Sequence, residues 1–166
     1  FKLHEWKERG AGGSNIMFIL ADGTMHAHMS EMPVGTYKKA HRHEADFHIF
    51  PVTGQGYSLF WSEGDTEYHR FDWRHGCVYA PPDMIFHQHF NTSPYPSRYL
   101  AVAFGNLRYP FTASKRATFT GMDVSVKSGG RQIEYEDEDP RIRQLFEAEL
   151  AKMGVECRMP PVATRV

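Results

Sequence analysis

The chain is poor in cysteine, in long apolar runs and in surplus charge of either sign. Cys77 and Cys157 are its only cysteines among 166 residues. They are too few and too far apart for a disulfide framework, so a reducing cytoplasm is the expected setting. No apolar run approaches the roughly 20 residues that a membrane-spanning helix needs, and no signal peptide is legible. Lys and Arg number 19 against 20 Asp and Glu, a formal net charge of −1 with both signs well mixed. That pattern offers neither a basic patch for nucleic acid nor an acidic tail. The cluster Glu134, Glu136, Asp137, Glu138 and Asp139 is short and precedes a predicted helix, where a solvated cap is expected. The chain opens at Phe1 rather than at a methionine, which fits a trimmed or larger parent. There is no internal repeat and no low-complexity segment.

The length suits one domain with a sizeable core. Short strand patterns follow one another at regular spacing, with turn residues between them. They run over Ile16–Leu20, His26–Met32, Phe47–Val52, Tyr57–Trp61, Tyr68–Trp73, Cys77–Ala80, Ile85–Phe90 and Arg98–Phe104. Such spacing predicts an all-β sandwich or barrel. One helix is predicted after it: Asp139 fits the N-cap, Pro140 the first turn and Gly154 the C-terminal cap. Between them Ile142, Leu145, Phe146, Leu150 and Met153 form a helical apolar stripe. The resulting division is an N-terminal arm (1–25), a barrel core (26–105), a connecting arm (106–138), the helix (139–154) and a tail (155–166), loosely ordered from Met159 onward. Arg108, Tyr109, Pro110, Lys115 and Arg116 suggest a surface arm or a partner contact.

Histidine is abundant, with ten in the chain. His41 and His43 form an HxH pair, and in a strand residues i and i+2 share a face. His87, arriving from a distant strand, completes a facial set of three nitrogen donors. Three protein ligands leave coordination positions open, which suits a metal that does chemistry. His89 shares the parity of His87 and is the candidate acid/base group or substrate hydrogen-bonder. His26-Ala-His28 is a further HxH pair on an earlier strand, where ordinary packing is expected, with one of the two lining the barrel mouth. Met32, Phe47, Trp61, Met84, Phe86 and Phe104 are candidates for an apolar cavity wall. Tyr37, Arg98 and Gln55 are the candidate groups for gripping a carboxylate or oxyanion.

These residues fall into two motifs that resemble those of the cupins. The first runs Gly35, His41, His43, Gly54. The second runs Gly76, Pro82, Met84 in place of a glycine, His87 and Asn91. The resemblance covers roughly residues 26 to 105. It implies a double-stranded β-helix, or jelly-roll barrel, and a mononuclear metal. Cupins usually add a glutamate ligand, whose place here falls to Phe47 at the commonest spacing, or to His48 with one extra residue. His48 is therefore the candidate fourth ligand, although its strand parity turns it away unless a bulge re-aims it. An all-histidine set resembles the gentisate 1,2-dioxygenase-like cupins, whose first motif reads HRH. The arginine that grips the substrate carboxylate in those enzymes corresponds to Ile49.

The leading expectation is an Fe(II) dioxygenase that uses O₂ to cleave a small aromatic or enolisable acid. Neutral imidazoles keep the iron electrophilic, and an anionic substrate supplies the missing charge. The alternative keeps the metal (Mn, Zn or Ni) but drops oxygen, giving an isomerase, decarboxylase or lyase. A further alternative is a non-catalytic ligand-binding cupin. The resemblance also implies a homodimer, for which the arm from Arg108 to Thr120 and the C-terminal helix are the candidate surfaces. No nucleic-acid or membrane partner is expected.

Overall fold

The computed structural model describes residues 2–21, 24–43, 47–104 and 121–161. The strands are β1 (His4–Glu5), β2 (Ser14–Leu20), β3 (Met25–Met32), β4 (His48–Thr53), β5 (Gln55–Trp61), β6 (His69–Arg74), β7 (Phe86–Asn91) and β8 (Ser97–Phe104), followed by helix α1 (Pro140–Lys152). The larger sheet has the order β1-β2-β3-β8-β4 and the smaller β6-β5-β7, and every pairing is antiparallel. The fold is all-β, a jelly-roll barrel as the strand spacing predicts, with one α-helix among the described residues.

Two cores follow from the period-2 alternation. Met32, Phe47, Ile49, Trp73, Tyr99, Ala101 and Ala103 fill the barrel interior. Tyr57, Leu59 and Trp61 of β5, with Phe86 and Phe90 of β7, point the other way and pack under α1. Asp139 caps that helix by accepting the Arg141 amide at 2.9 Å. Ile142, Phe146 and Leu150 are almost wholly buried, each contributing on the order of 2 kcal/mol. The apolar face of α1 is thus spent on its own barrel. Met153, the last residue of the predicted stripe, follows the end of the helix and is 43% exposed, its sulfur accepting from Gln55 Nε2 at 3.8 Å.

Three expectations are corrected. Cys77–Ala80 is no strand; Tyr79 makes a single bridge to Ile49, and the adjoining Pro81 and Pro82 lack the amides to extend it. Met159 is no part of a loose tail. It is buried, its sulfur accepts the Tyr37 amide at 3.2 Å, and the neighbouring Arg158 amide bonds the Gly35 carbonyl at 2.8 Å. Gly35 allows this approach: its φ is +68°, and a Cβ there would stand 2.1 Å from the Glu156 carbonyl oxygen. The HxH segment is not a regular strand either. It is an extended stretch bridged to β7 at Tyr37–Phe90 and His41–His87. Arg108, Tyr109, Pro110, Lys115 and Arg116 lie outside the described residues, as does the side chain of Phe104.

Candidate metal centre

Strand β7 is buried on both faces. Phe86, Gln88 and Phe90 turn towards the helix, and His87 and His89 turn into the barrel. The extended stretch beside it brings His41 opposite His87, and two residues on, His43 joins them. The nitrogens of His41, His43 and His87 that could hold an ion all lie within 4.8 Å of one another, and all three residues are buried. Two nitrogens bound to one ion at about 2.1 Å stand no more than roughly 4.2 Å apart, so a small closure suffices.

Two of these rings have a defined tautomer. Nδ1 of His41 lies 3.2 Å from the Lys39 carbonyl oxygen, and Nδ1 of His87 lies 3.1 Å from that of Ile85. A carbonyl oxygen only accepts, so each Nδ1 carries the hydrogen and each Nε2 presents a lone pair. Burial also keeps the rings neutral. It lowers His41 well below the ordinary histidine value, with Arg9 adding to the effect, and it brings His87 down to about 4. Neutral, pre-oriented imidazoles fit a divalent metal.

The central cavity is about 20 Å³, room for an ion or one water. Besides the three histidines it is lined by His28, His89, Phe47, Ile49, Pro81, Tyr99 and Ala101. Among the described residues, none of its walls is a carboxylate. Phe47 stands against His43, with ring centroids 5.2 Å apart at 88°, so the residue found at the first motif's usual glutamate spacing puts an apolar ring beside the histidines. Two buried cations lie near. Lys38 Nζ donates to Ser30 Oγ and to the Tyr99 hydroxyl, both at 2.9 Å. Arg9 donates to the Met122 carbonyl at 2.8 Å and to Gln132 Oε1 at 3.0 Å. Burial, then the Lys38 charge, lowers His28.

Several predicted site residues lie elsewhere. His48 is exposed on the outer face of β4, as its parity dictates, and the register shift in that strand falls beyond it, between Pro51 and Thr53. Tyr37 sits under the helix and donates to Glu138 Oε1 at 2.5 Å. Trp61 and Phe86 stack on each other in that same core. Arg98 is exposed on the outer face of β8 and pairs with Glu31 at 2.5 Å. Gln55 is exposed at the start of β5. Met84 does not line the cavity. Its φ of +58° meets the need for a left-handed residue where the motif has glycine, and its amide bonds the His43 carbonyl at 3.0 Å. Asn91 is a clamp: its Nδ2 donates to the Met32, Pro33 and Tyr95 carbonyls, and its Oδ1 accepts Ser97 Oγ. Met32 and Phe47 do lie in the barrel interior.

Lys38, Tyr79 and Tyr99 were not legible as site residues, and His28 only as one of the pair of which one member is expected at the barrel mouth. The alternation of His26 and His28 was the one available signal, and it took the pairing of β3 with β8 to aim it inward.

No family model matches the chain, and no curated protein matches it. Solved structures do. Lactobacillus farciminis oxalate decarboxylase in its formate complex matches with TM-score 0.54 and 19% identity, over 63% of this chain and 31% of that one. Bacillus subtilis oxalate decarboxylase at pH 4.6 matches with TM-score 0.52 and 16% identity, over 58% and 26%. A second structure of that enzyme, described for its Mn(II) centres, matches with TM-score 0.51 and 15% identity, over 56% and 26%. The fold is that of the cupins. The chain spans under a third of those neighbours' length, and at such identities the likeness fixes the fold and nothing finer. No helix among the described residues is long and apolar enough to cross a membrane.

Proposed function

We propose that this cupin is a metal-dependent enzyme acting on a small carboxylic acid, by decarboxylation or a related lyase or isomerase step. The observation that carries the reading is the group of three buried imidazoles facing one another, two of them with Nε2 lone pairs turned inward by backbone carbonyls. His41, His43 and His87 would hold the ion, with Mn²⁺ the leading candidate and Zn²⁺ or Ni²⁺ next. Such an ion acts as a Lewis acid on a bound carboxylate. The neighbours' Mn(II) centres support that choice.

The chain's own residues then select the substrate. Lys38 and Arg9 put two positive charges near neutral imidazoles, so an anion is favoured. The cavity of about 20 Å³ has room for the ion or one water, so a bound anion must be small and must displace lining side chains to enter. Phe47, Ile49 and Ala101 exclude water from one side, and His89 stands beside His87 as the side chain placed to contact the substrate. The free thiols Cys77 and Cys157 support a cytoplasmic setting.

A second reading rests on the donor set itself. Three imidazoles add no negative charge, which also suits Fe(II) with O₂ and a diolate or enolate substrate. Metal analysis of the purified protein, followed by assays on small di- and keto-acids with CO₂ release and O₂ uptake recorded together, separates the two. CO₂ release without O₂ consumption on a Mn²⁺-loaded sample is expected. Stoichiometric O₂ uptake on an Fe²⁺-loaded sample would favour the second reading, and neither signal with any metal, together with no change in the acids by NMR, would sink both.

We also propose a homodimer seated on the outer face of the larger sheet. There Leu20, Met25 and Phe50 are exposed beside half-buried Met29 and Leu100, an apolar face from four adjacent strands that calls for a cover.

A further inference from the structure

His89 differs from its neighbours in what its Nδ1 meets. His41 and His87 each place Nδ1 on a carbonyl, but His89 Nδ1 lies 2.8 Å from Ser58 Oγ and 3.3 Å from the Tyr79 hydroxyl. Ser58 Oγ is in turn 3.0 Å from the Tyr79 hydroxyl and accepts the Trp73 indole N–H at 3.1 Å. The four groups form a closed network inside the barrel, and its hydrogens can be counted.

Trp73 supplies one hydrogen, and only Ser58 can take it. The Ser58 and Tyr79 hydroxyls supply one each. If Nδ1 of His89 is bare, both find an acceptor: Tyr79 donates to Ser58 and Ser58 donates to Nδ1, or Ser58 donates to Tyr79 and Tyr79 donates to Nδ1. If Nδ1 carries a hydrogen, the two hydroxyls have only their mutual contact left. That contact holds one hydrogen, so the other hydroxyl is left buried with no described acceptor, which costs about as much as losing a hydrogen bond.

We infer that Ser58, Tyr79 and Trp73 hold His89 as the Nε2–H tautomer, which makes it a hydrogen-bond donor facing the cavity and bars it from serving as a fourth metal ligand. The centre thus uses one residue type in two roles. Histidines hooked to carbonyls offer lone pairs, and the histidine hooked to hydroxyls offers a hydrogen. Resting on the reading of the substrate as a small anion, the donor is aimed at an oxygen of a carboxylate held beside His87. Ser58, Tyr79 and Trp73 are positioning residues; no proton transfer is required of them.

The test is a two-bond ¹H–¹⁵N spectrum of histidine-labelled, metal-free protein at neutral pH, with His89→Gln to assign the signals. In the expected tautomer the unprotonated ring nitrogen of His89 couples to Hε1 alone, marking it as Nδ1. The single variants Ser58→Ala and Tyr79→Phe should keep this pattern, because one hydroxyl donor remains. The double variant should lose it. A wild-type spectrum whose unprotonated nitrogen couples to both ring protons would overturn the inference, whether or not the double variant folds. The anion arm is read separately on Zn²⁺-loaded protein by titration with formate. Binding about tenfold weaker in His89→Phe than in wild type is expected, and equal binding would remove His89 from the anion's contacts. Because the tautomer is read without metal or substrate, failure of the proposed reaction leaves that result standing.

Discussion

His41 and His87 hydrogen-bond each other twice through their backbones. The His41 amide donates to the His87 carbonyl at 3.1 Å, and the His87 amide donates to that of His41 at 2.9 Å. Their rings are 4.3 Å apart at the centroids. Two candidate ligands far apart in sequence are thereby locked in register by the main chain, and side-chain rotamers have only to complete the approach.

Removing either of these rings should empty the centre. His41→Ala and His87→Ala are each expected to lower Mn²⁺ or Zn²⁺ affinity by at least about a hundredfold, measured by equilibrium dialysis with elemental analysis. His48→Ala, at an exposed site on the outer face, should bind metal as wild type does. An equal loss in all three variants would argue against the site as described.

Phe47→Glu tests the region opposite His43. A carboxylate buried there without an ion is costly, whereas one beside a divalent cation is favourable. The metal-free variant should melt several degrees below wild type, and saturating Mn²⁺ or Zn²⁺ should restore more stability to it than to wild type. A melting temperature indifferent to metal would place the introduced carboxylate out of reach of the ion.

Acid should destabilise the metal-free protein by way of its buried histidines. His87 sits at about 4 in the folded chain, below its ordinary value of 6.5, and burial is the principal cause; His41 and His89 are also lowered by burial. A native-state value below the unfolded one means that unfolding takes up protons as the pH falls below 6.5. Stability is then full above that value, declines as the pH falls towards 4, and for His87 levels off below it. His87 alone contributes on the order of 3 kcal/mol. Thermal melts at about pH 7.5, 6 and 4.5 should drop in that order, and His87→Gln should flatten part of the decline. A profile flat over this range would contradict neutral burial.

The apolar outer face predicts self-association. Phe50→Asp with Leu100→Asp should convert a dimer to a monomer in light scattering, leaving metal content unchanged, because both side chains point away from the barrel. A wild-type protein that is monomeric at every concentration would remove the proposal.

The strands and the helix were legible because their patterns are local. Alternation from β2 to β8 and the Asp139–Pro140 start of α1 arise from neighbouring residues along the chain, and the structure departs from the expected pattern at Cys77–Ala80, at the HxH segment, which is bridged to β7 without being a strand, and at Met159. The histidine triad was legible for a related reason: two motifs, each short, carry their own turns. The substrate-contact candidates fared worse. Tyr37, Trp61, Arg98 and Gln55 are candidates by residue type alone, and type does not say which side of a sheet a residue occupies.

Sequence alone determined the strand order of residue types, the helix caps, and that His41, His43 and His87 are candidates for one ion. Tertiary structure decided which faces met. The helix covers one side of the smaller sheet, so β7 divides its residues between helix and cavity. Pairing of β3 with β8 turns His28 inward, and the contact of Ser58 with His89 sets a tautomer that no local pattern encodes. These relations join residues distant along the chain, and they exist only once the sheets have closed on one another.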